Sequence, residues 1–90
     1  MSSVSFTGNL KRFYPELNTM HVEAETVAEL LDKIEERFPG IKDYIVDEDG
    51  RLRKHVNIFI GNEMIRDQQA LTDQIDQNDS IYIMQALSGG

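Results

Sequence analysis

The residues of this chain with the most chemical promise are its last two, Gly89 and Gly90. They suggest that the working group is the main-chain carboxylate of Gly90 itself. Glycine has no Cβ, so a Gly-Gly tail can enter a channel too narrow for a side chain and take almost any φ/ψ inside it. The stretch from Ala86 to Gly90 spans about 16 Å when extended. That is enough to carry a terminal carboxyl from a rigid body into a second protein's active site. The competing readings are a frayed terminus and a cloning remnant. At a glycine background of about 7%, two terminal glycines arise by chance about once in 200 chains.

The inventory for catalysis is otherwise thin. There is no cysteine, and the two histidines, His21 and His55, both fall in strand-like surroundings. No Ser-His-Asp set, paired carboxylates or phosphate-binding loop can be assembled. Asp47-Glu48-Asp49-Gly50 resembles the start of an acidic calcium loop, but the later ligand spacing and the closing glutamate are missing, so no metal is expected there. The net charge of −7 argues against nucleic acid as a partner, since phosphate contacts need clustered Lys and Arg. One short basic group, Arg51, Arg53, Lys54 and His55, interrupts this background. It reads as a solvated loop or as a docking patch.

Ninety residues, 40% hydrophobic and 28% charged, fit one domain with a modest core and a stability of about 5–13 kcal/mol. No run approaches the roughly 20 apolar residues of a membrane span, and Met1-Ser2-Ser3-Val4-Ser5 lacks the features of a secretory signal. The expectation is therefore a cytoplasmic protein without disulfides.

The elements that must position the tail are legible from periodicity. Val4 and Phe6 open a strand, followed by a turn-like Thr7-Gly8-Asn9 and then Leu10 and Phe13 before Pro15. Met20 to Glu25 alternates as a second strand, and the two make an N-terminal hairpin. From Thr26 to Phe38 the apolar residues Val27, Leu30, Leu31, Ile34 and Phe38 follow a helical rhythm, with Thr26 as N-cap, Glu29 completing a capping box and Pro39-Gly40 as the stop. Ile41, Tyr44 and Ile45 suggest a turn or a short 3₁₀ segment. His55 to Gly61 alternates as a strand, Gly61-Asn62 turns, and Met64-Ile65 returns. Leu71 and Ile75 anchor a polar loop, Gln77-Asn78-Asp79 turns, and Ser80 to Leu87 forms the last strand. The order β-β-α-β-β-β predicts an α+β domain, one sheet with a helix across it. With Ile58, Ile60, Ile81 and Ile83 beneath the helix, Phe59, Tyr82 and Met84 face outward. There they form either a docking patch or scattered exposed residues.

The run Val56-Asn57-Ile58-Phe59-Ile60-Gly61-Asn62-Glu63-Met64-Ile65-Arg66, then Leu71-Thr72-Asp73, then Asn78-Asp79-Ser80-Ile81-Tyr82-Ile83, closing on Gly89-Gly90, resembles the MoaD/ThiS family of ubiquitin-like sulfur carriers. The Thr26-Val27 start and Phe38-Pro39 end of the helix also fit, so the resemblance covers nearly the whole chain. It implies a β-grasp body over residues 1–86, with a mixed sheet of four to five strands, and a flexible tail over residues 87–90. It further implies that Gly90 is adenylated by a ubiquitin-activating-type enzyme using Mg-ATP. A persulfide would then supply sulfur to form a thiocarboxylate, which a sulfur-accepting synthase would use to make a cofactor, amino acid or other metabolite. On this reading the chain is a carrier rather than an enzyme, binds no cofactor or metal itself and, since it visits several enzymes, is monomeric when free. Gly89 and Gly90 thread the channel, Leu87 and Ser88 form the tail's base, and Phe59, Tyr82 and Met84 dock. The chain departs from the family where Met84-Gln85-Ala86-Leu87-Ser88 replaces proline and small residues, and where Gln77-Asn78-Asp79 replaces Asp-Gly-Asp. The pathway therefore stays open. So do two other readings, a protein modifier joined to lysines through Gly90 and an inert β-grasp binding module.

Overall fold

Helix formation here starts from a threonine. Thr26 sits in extended backbone and its Oγ1 accepts from the amide of Glu29 at 3.2 Å, capping helix α1 (Val27–Arg37). The Glu29 carboxylate pairs forward with Lys33 at 3.4 Å. Two further first-turn amides, of Val27 and Ala28, donate to the carbonyls of Asp73 and Leu71. A distant loop thus satisfies donors that a helix start leaves open. Val27, Leu30, Leu31 and Ile34 form the buried stripe, while Phe38 is half-buried at the C-cap.

A computed structural model describes residues 2–8, 14 and 19–85. The expectations placed on Asn9, Leu10, Phe13 and Pro15, and on the tail from Ala86 to Gly90, lie outside these described residues. Strands β1 (Ser2–Gly8), β2 (Met20–Val22), β3 (Val56–Ile60), β4 (Glu63–Met64) and β5 (Ser80–Gln85) form one sheet in the order β2-β1-β5-β3-β4. β1 and β5 run parallel and the other neighbours antiparallel, so the sheet is mixed. A short helix α2 (Lys42–Ile45) stands where a turn or 3₁₀ segment was expected, and it buries Ile45.

The register corrects the opening strand. Thr7 and Gly8 continue it and pair with Met84 and Gln85, because the parallel partner β5 is long enough to hold them. β2 is shorter than its alternation suggests and ends at Val22, after three ladder pairs with β1. The hairpin at Gly61-Asn62 is as predicted: Gly61 has φ +64 and Asn62 a negative φ. That combination matches the twist of the flanking strands.

Alternation places Val4, Phe6, Val22, Val56, Ile58, Ile81 and Ile83 under α1, with Ile41, Ile45, Val46, Ile65, Leu71 and Ile75 closing the edges of the core. Leu71 takes a left-handed φ of 58° to reach it. The loop around it is wound on two carboxylates. Asp67 accepts from the amides of Gln69, Ala70 and Thr72 and from the Thr72 hydroxyl, while Asp73 accepts from the amides of Arg66 and Asp67. At the other end of α1, Glu35 accepts from the amides of Gly40 and Lys42 at 2.7 and 2.9 Å. The ring of Tyr14 meets Phe38 and Tyr44 edge-on, each at 6.1 Å.

Candidate functional site

Each inward isoleucine of β3 and β5 turns its neighbours to the opposite face of the sheet. On that face the register aligns Ser5, Tyr82, Phe59 and Met64 in one row across β1, β5, β3 and β4. The next row along contains Met84 opposite Asn57. Tyr82 is 40% exposed, Met84 42% and Met64 44%. Phe59 is half-buried, because Tyr82 and Met64 flank it on either side. Phe59, Gly61, Asn62, Tyr82 and Met84 line a shallow hollow of about 320 Å³.

The three side chains singled out from the sequence, Phe59, Tyr82 and Met84, therefore share one face. Met64 belongs with them and was missed. The signal was present: a two-residue turn at Gly61-Asn62 fixes Ile60 opposite Glu63 and Phe59 opposite Met64. Toward β1 and β2 the same face becomes polar. Ser5 Oγ lies 3.2 Å from Thr19 Oγ1, and Ser3 Oγ lies 3.5 Å from Ser80 Oγ. The apolar half is thus confined to β3, β4 and β5.

The proposed tail residues Leu87, Ser88, Gly89 and Gly90 lie outside the described residues, but the strand that leads to them does not. β5 has a neighbour on each side, and Gln85 stands between Gly8 of β1 and Val56 of β3. The last described residue is therefore held in the middle of the sheet rather than at a fraying edge. His55 belongs to the turn that precedes β3, and its Nε2 lies 3.4 Å from Nε2 of Gln85. The amide oxygen of Gln85 is buried without a hydrogen-bond partner. His21 stands exposed in β2, on the polar half of the outer face.

Several carboxylates hold loops by accepting backbone amides. Asp67 is lowered to about 2, by the Ala70 amide first and then the Thr72 hydroxyl. The Gly40 and Lys42 amides hold Glu35 below the usual range, and the Arg51 amide leads the lowering of Asp47. In the turn read as a truncated calcium loop, Asp47 Oδ1 accepts from the amides of Asp49 and Arg51 at 2.9 and 3.0 Å. Among the described residues no group of three or more His, Cys, Asp or Glu side chains is placed to hold a metal ion. Nor is any helix among them long and apolar enough to cross a membrane. What the arrangement offers is a surface and a firmly held strand end.

The chain matches the model of the ThiS family across residues 4–90. It is 27% identical over 74 residues to the sulfur carrier protein CysO of Mycobacterium tuberculosis, covering 80% of each chain. A chain of the solved BexX/CysO complex of Amycolatopsis orientalis superposes with a TM-score of 0.85 at 27% identity, covering 100% of both chains. The small archaeal modifier protein 1 of Methanosarcina acetivorans shares the fold, with a TM-score of 0.79 at 23% identity over 99% of this chain and 95% of its own.

Proposed function

Because this chain belongs to the ThiS family, we propose that it is a sulfur carrier whose working group is the carboxylate of Gly90. The observation that carries this reading is the extent of the family match, which runs through the aromatic–methionine face and on to Gly90 itself. The likeness to curated sulfur carrier proteins supports it.

A free carboxylate resists attack, because resonance stabilises it and its charge repels nucleophiles. In the proposed cycle an activating enzyme lets the Gly90 carboxylate attack the α-phosphorus of Mg-ATP, which expels pyrophosphate and leaves an acyl-adenylate. The terminal sulfur of a protein persulfide then attacks the carbonyl carbon and expels AMP. A thiol cleaves the resulting S–S bond, becoming a disulfide with the former persulfide sulfur and leaving a thiocarboxylate on Gly90. A sulfur-accepting synthase consumes that thiocarboxylate. The carrier contributes no acid, base or nucleophile beyond its own terminal carboxyl. It contributes position: Phe59, Tyr82, Met84 and Met64 would anchor the partner, and Gln85, held between two strands, sets where the tail begins. Leu87 and Ser88 form the tail's base and Gly89 threads the channel.

The test is intact-mass measurement after incubation with ATP, a sulfide source and the cognate activating enzyme. The expected product is heavier by the difference between sulfur and oxygen, with the change localised to the C-terminal peptide. Protein that keeps its original mass while the enzyme activates a known carrier refutes the proposal. Higher-mass conjugates in cells that vanish with the di-glycine would instead assign a protein modifier.

A further inference from the structure

We propose that the basic hollow lined by Arg51, Arg53, Lys54 and His55 is a second docking element, and that it receives a carboxylate-rich segment of the enzyme that activates Gly90. The inference rests on the carrier reading and adds the chemistry of the partner's surface.

Charge is the first argument. In a chain of net charge −7, Lys33 and Lys42 are paired with Glu29 and Asp32. Among the described residues no carboxylate lies within ion-pair distance of Arg51, Arg53 or Lys54. The hollow they line with Leu52 and His55 holds about 440 Å³, room for a pair of acidic side chains. One carboxylate, Asp47, shares it; its Oδ1 accepts from the amides of Asp49 and Arg51, and the charges of Arg51 and Arg53 add to its lowering, so it offsets part of the hollow's positive charge and leaves the rest unmatched. Glu48 and Asp49 are exposed in the adjoining turn and do not line the hollow.

Position is the second. Val56 stands opposite Gln85, and His55 lies 3.4 Å from the Gln85 amide, so the hollow borders the strand end that leads into the tail. From there Gly90 is within about 16 Å along an extended chain. An enzyme that encloses Gly90 must cover the ground around the tail's root.

Rigidity is the third. Arg53 Nε donates to the carbonyl of Asp43 at 2.8 Å, its amide donates to Ile45, and Leu52 donates to Gln68 and bridges Val46. Cations presented from a fixed backbone lose less entropy on pairing than cations on a mobile loop. Apolar anchors supply most of the affinity at such a surface, whereas charge pairs set orientation and the rate of encounter.

The experiment is ATP–pyrophosphate exchange by the cognate activating enzyme with the full chain, from about 50 mM to about 500 mM salt. Arg51→Glu and the double variant Arg51→Glu/Lys54→Glu are compared with Arg37→Glu, which makes an equal single charge change at an exposed residue that does not line the hollow. Arg51 and Lys54 are exposed, so both variants should melt with the wild type. At low salt KM should rise about tenfold for the double variant with kcat within about twofold, and the difference should shrink as salt rises. Arg37→Glu should change KM little. If Arg51→Glu and Arg37→Glu behave alike, or the double variant keeps the wild-type KM and salt slope, the inference falls and the carrier reading stands. If wild-type protein gives no exchange with an enzyme active on a known carrier, both fall.

Discussion

Phe59 and Tyr82 stand directly opposite each other across β3 and β5, and Met64 lies beyond Phe59 in the same cross-strand row. This contact ties the hairpin at Gly61-Asn62 to the strand that leads into the tail. A partner seated on these rings is thereby placed at a fixed offset from Gln85.

Tyr82→Ala and Met84→Ala should therefore weaken engagement of the activating enzyme without unfolding the carrier, since both side chains are exposed and lie outside the buried core. An increase in KM of about tenfold or more per truncation is expected if these are anchoring residues. Wild-type KM in both variants would move the docking surface elsewhere.

Deleting Gly90 should abolish adenylation and leave the thermal transition unchanged, because a glycine brings no side chain to pack into a core. Exchange assays and calorimetry on the truncated chain check the two halves of this statement. Retained exchange would exclude Gly90 as the reacting residue.

Leu31 is 1% exposed within the stripe that α1 lays on the sheet. Leu31→Ala should cost about 2–5 kcal/mol through lost burial and the cavity left behind. Urea unfolding measures this, and a neutral result would contradict the packing described above.

The stability of the protein should fall in acid over a window set by Asp67. Its carboxyl is lowered from an ordinary 3.8 to about 2 by the Ala70 amide and the Thr72 hydroxyl. A lowered folded-state value means stability that is fully present above the unfolded value and lost as pH falls from about 4 toward 2. Urea midpoints between about pH 2 and 5 should decline less steeply for Asp67→Asn than for wild type. A residual slope should remain from Glu35 and Asp47, which are lowered by the Gly40 and Arg51 amides first. Parallel curves would show that the Asp67 loop does not contribute.

Gly40 has φ +96, and a Cβ there would stand 2.9 Å from the hydroxyl oxygen of Tyr14. Gly40→Ala should destabilise by about 1–3 kcal/mol from backbone strain and crowding together. An unchanged unfolding midpoint would mean that the turn after α1 can rearrange at no cost.

Local patterns told the truth wherever the deciding interactions were local. Thr26 caps α1, and Val27, Leu30, Leu31 and Ile34 lie on one face, because a helix closes its bonds within four residues. The Gly61-Asn62 turn and the inward Ile81 and Ile83 were legible for the same reason, since turn geometry and the two-residue period of a strand are properties of short segments. The di-glycine and the order of motifs pointed to the family by sequence alone. The tertiary structure decided what depends on segments far apart in the chain. Pairing β1 in parallel with β5 extended the first strand through Thr7 and Gly8 and set Gln85 in the middle of the sheet. Leu71 accepts a left-handed backbone because its side chain reaches the core and its carbonyl meets the start of α1. Arg51 to His55 became neighbours of the tail's root only through the register that sets Val56 against Gln85. Such pairings are chosen by the burial of a whole sheet face, a collective quantity that no short window of residues contains.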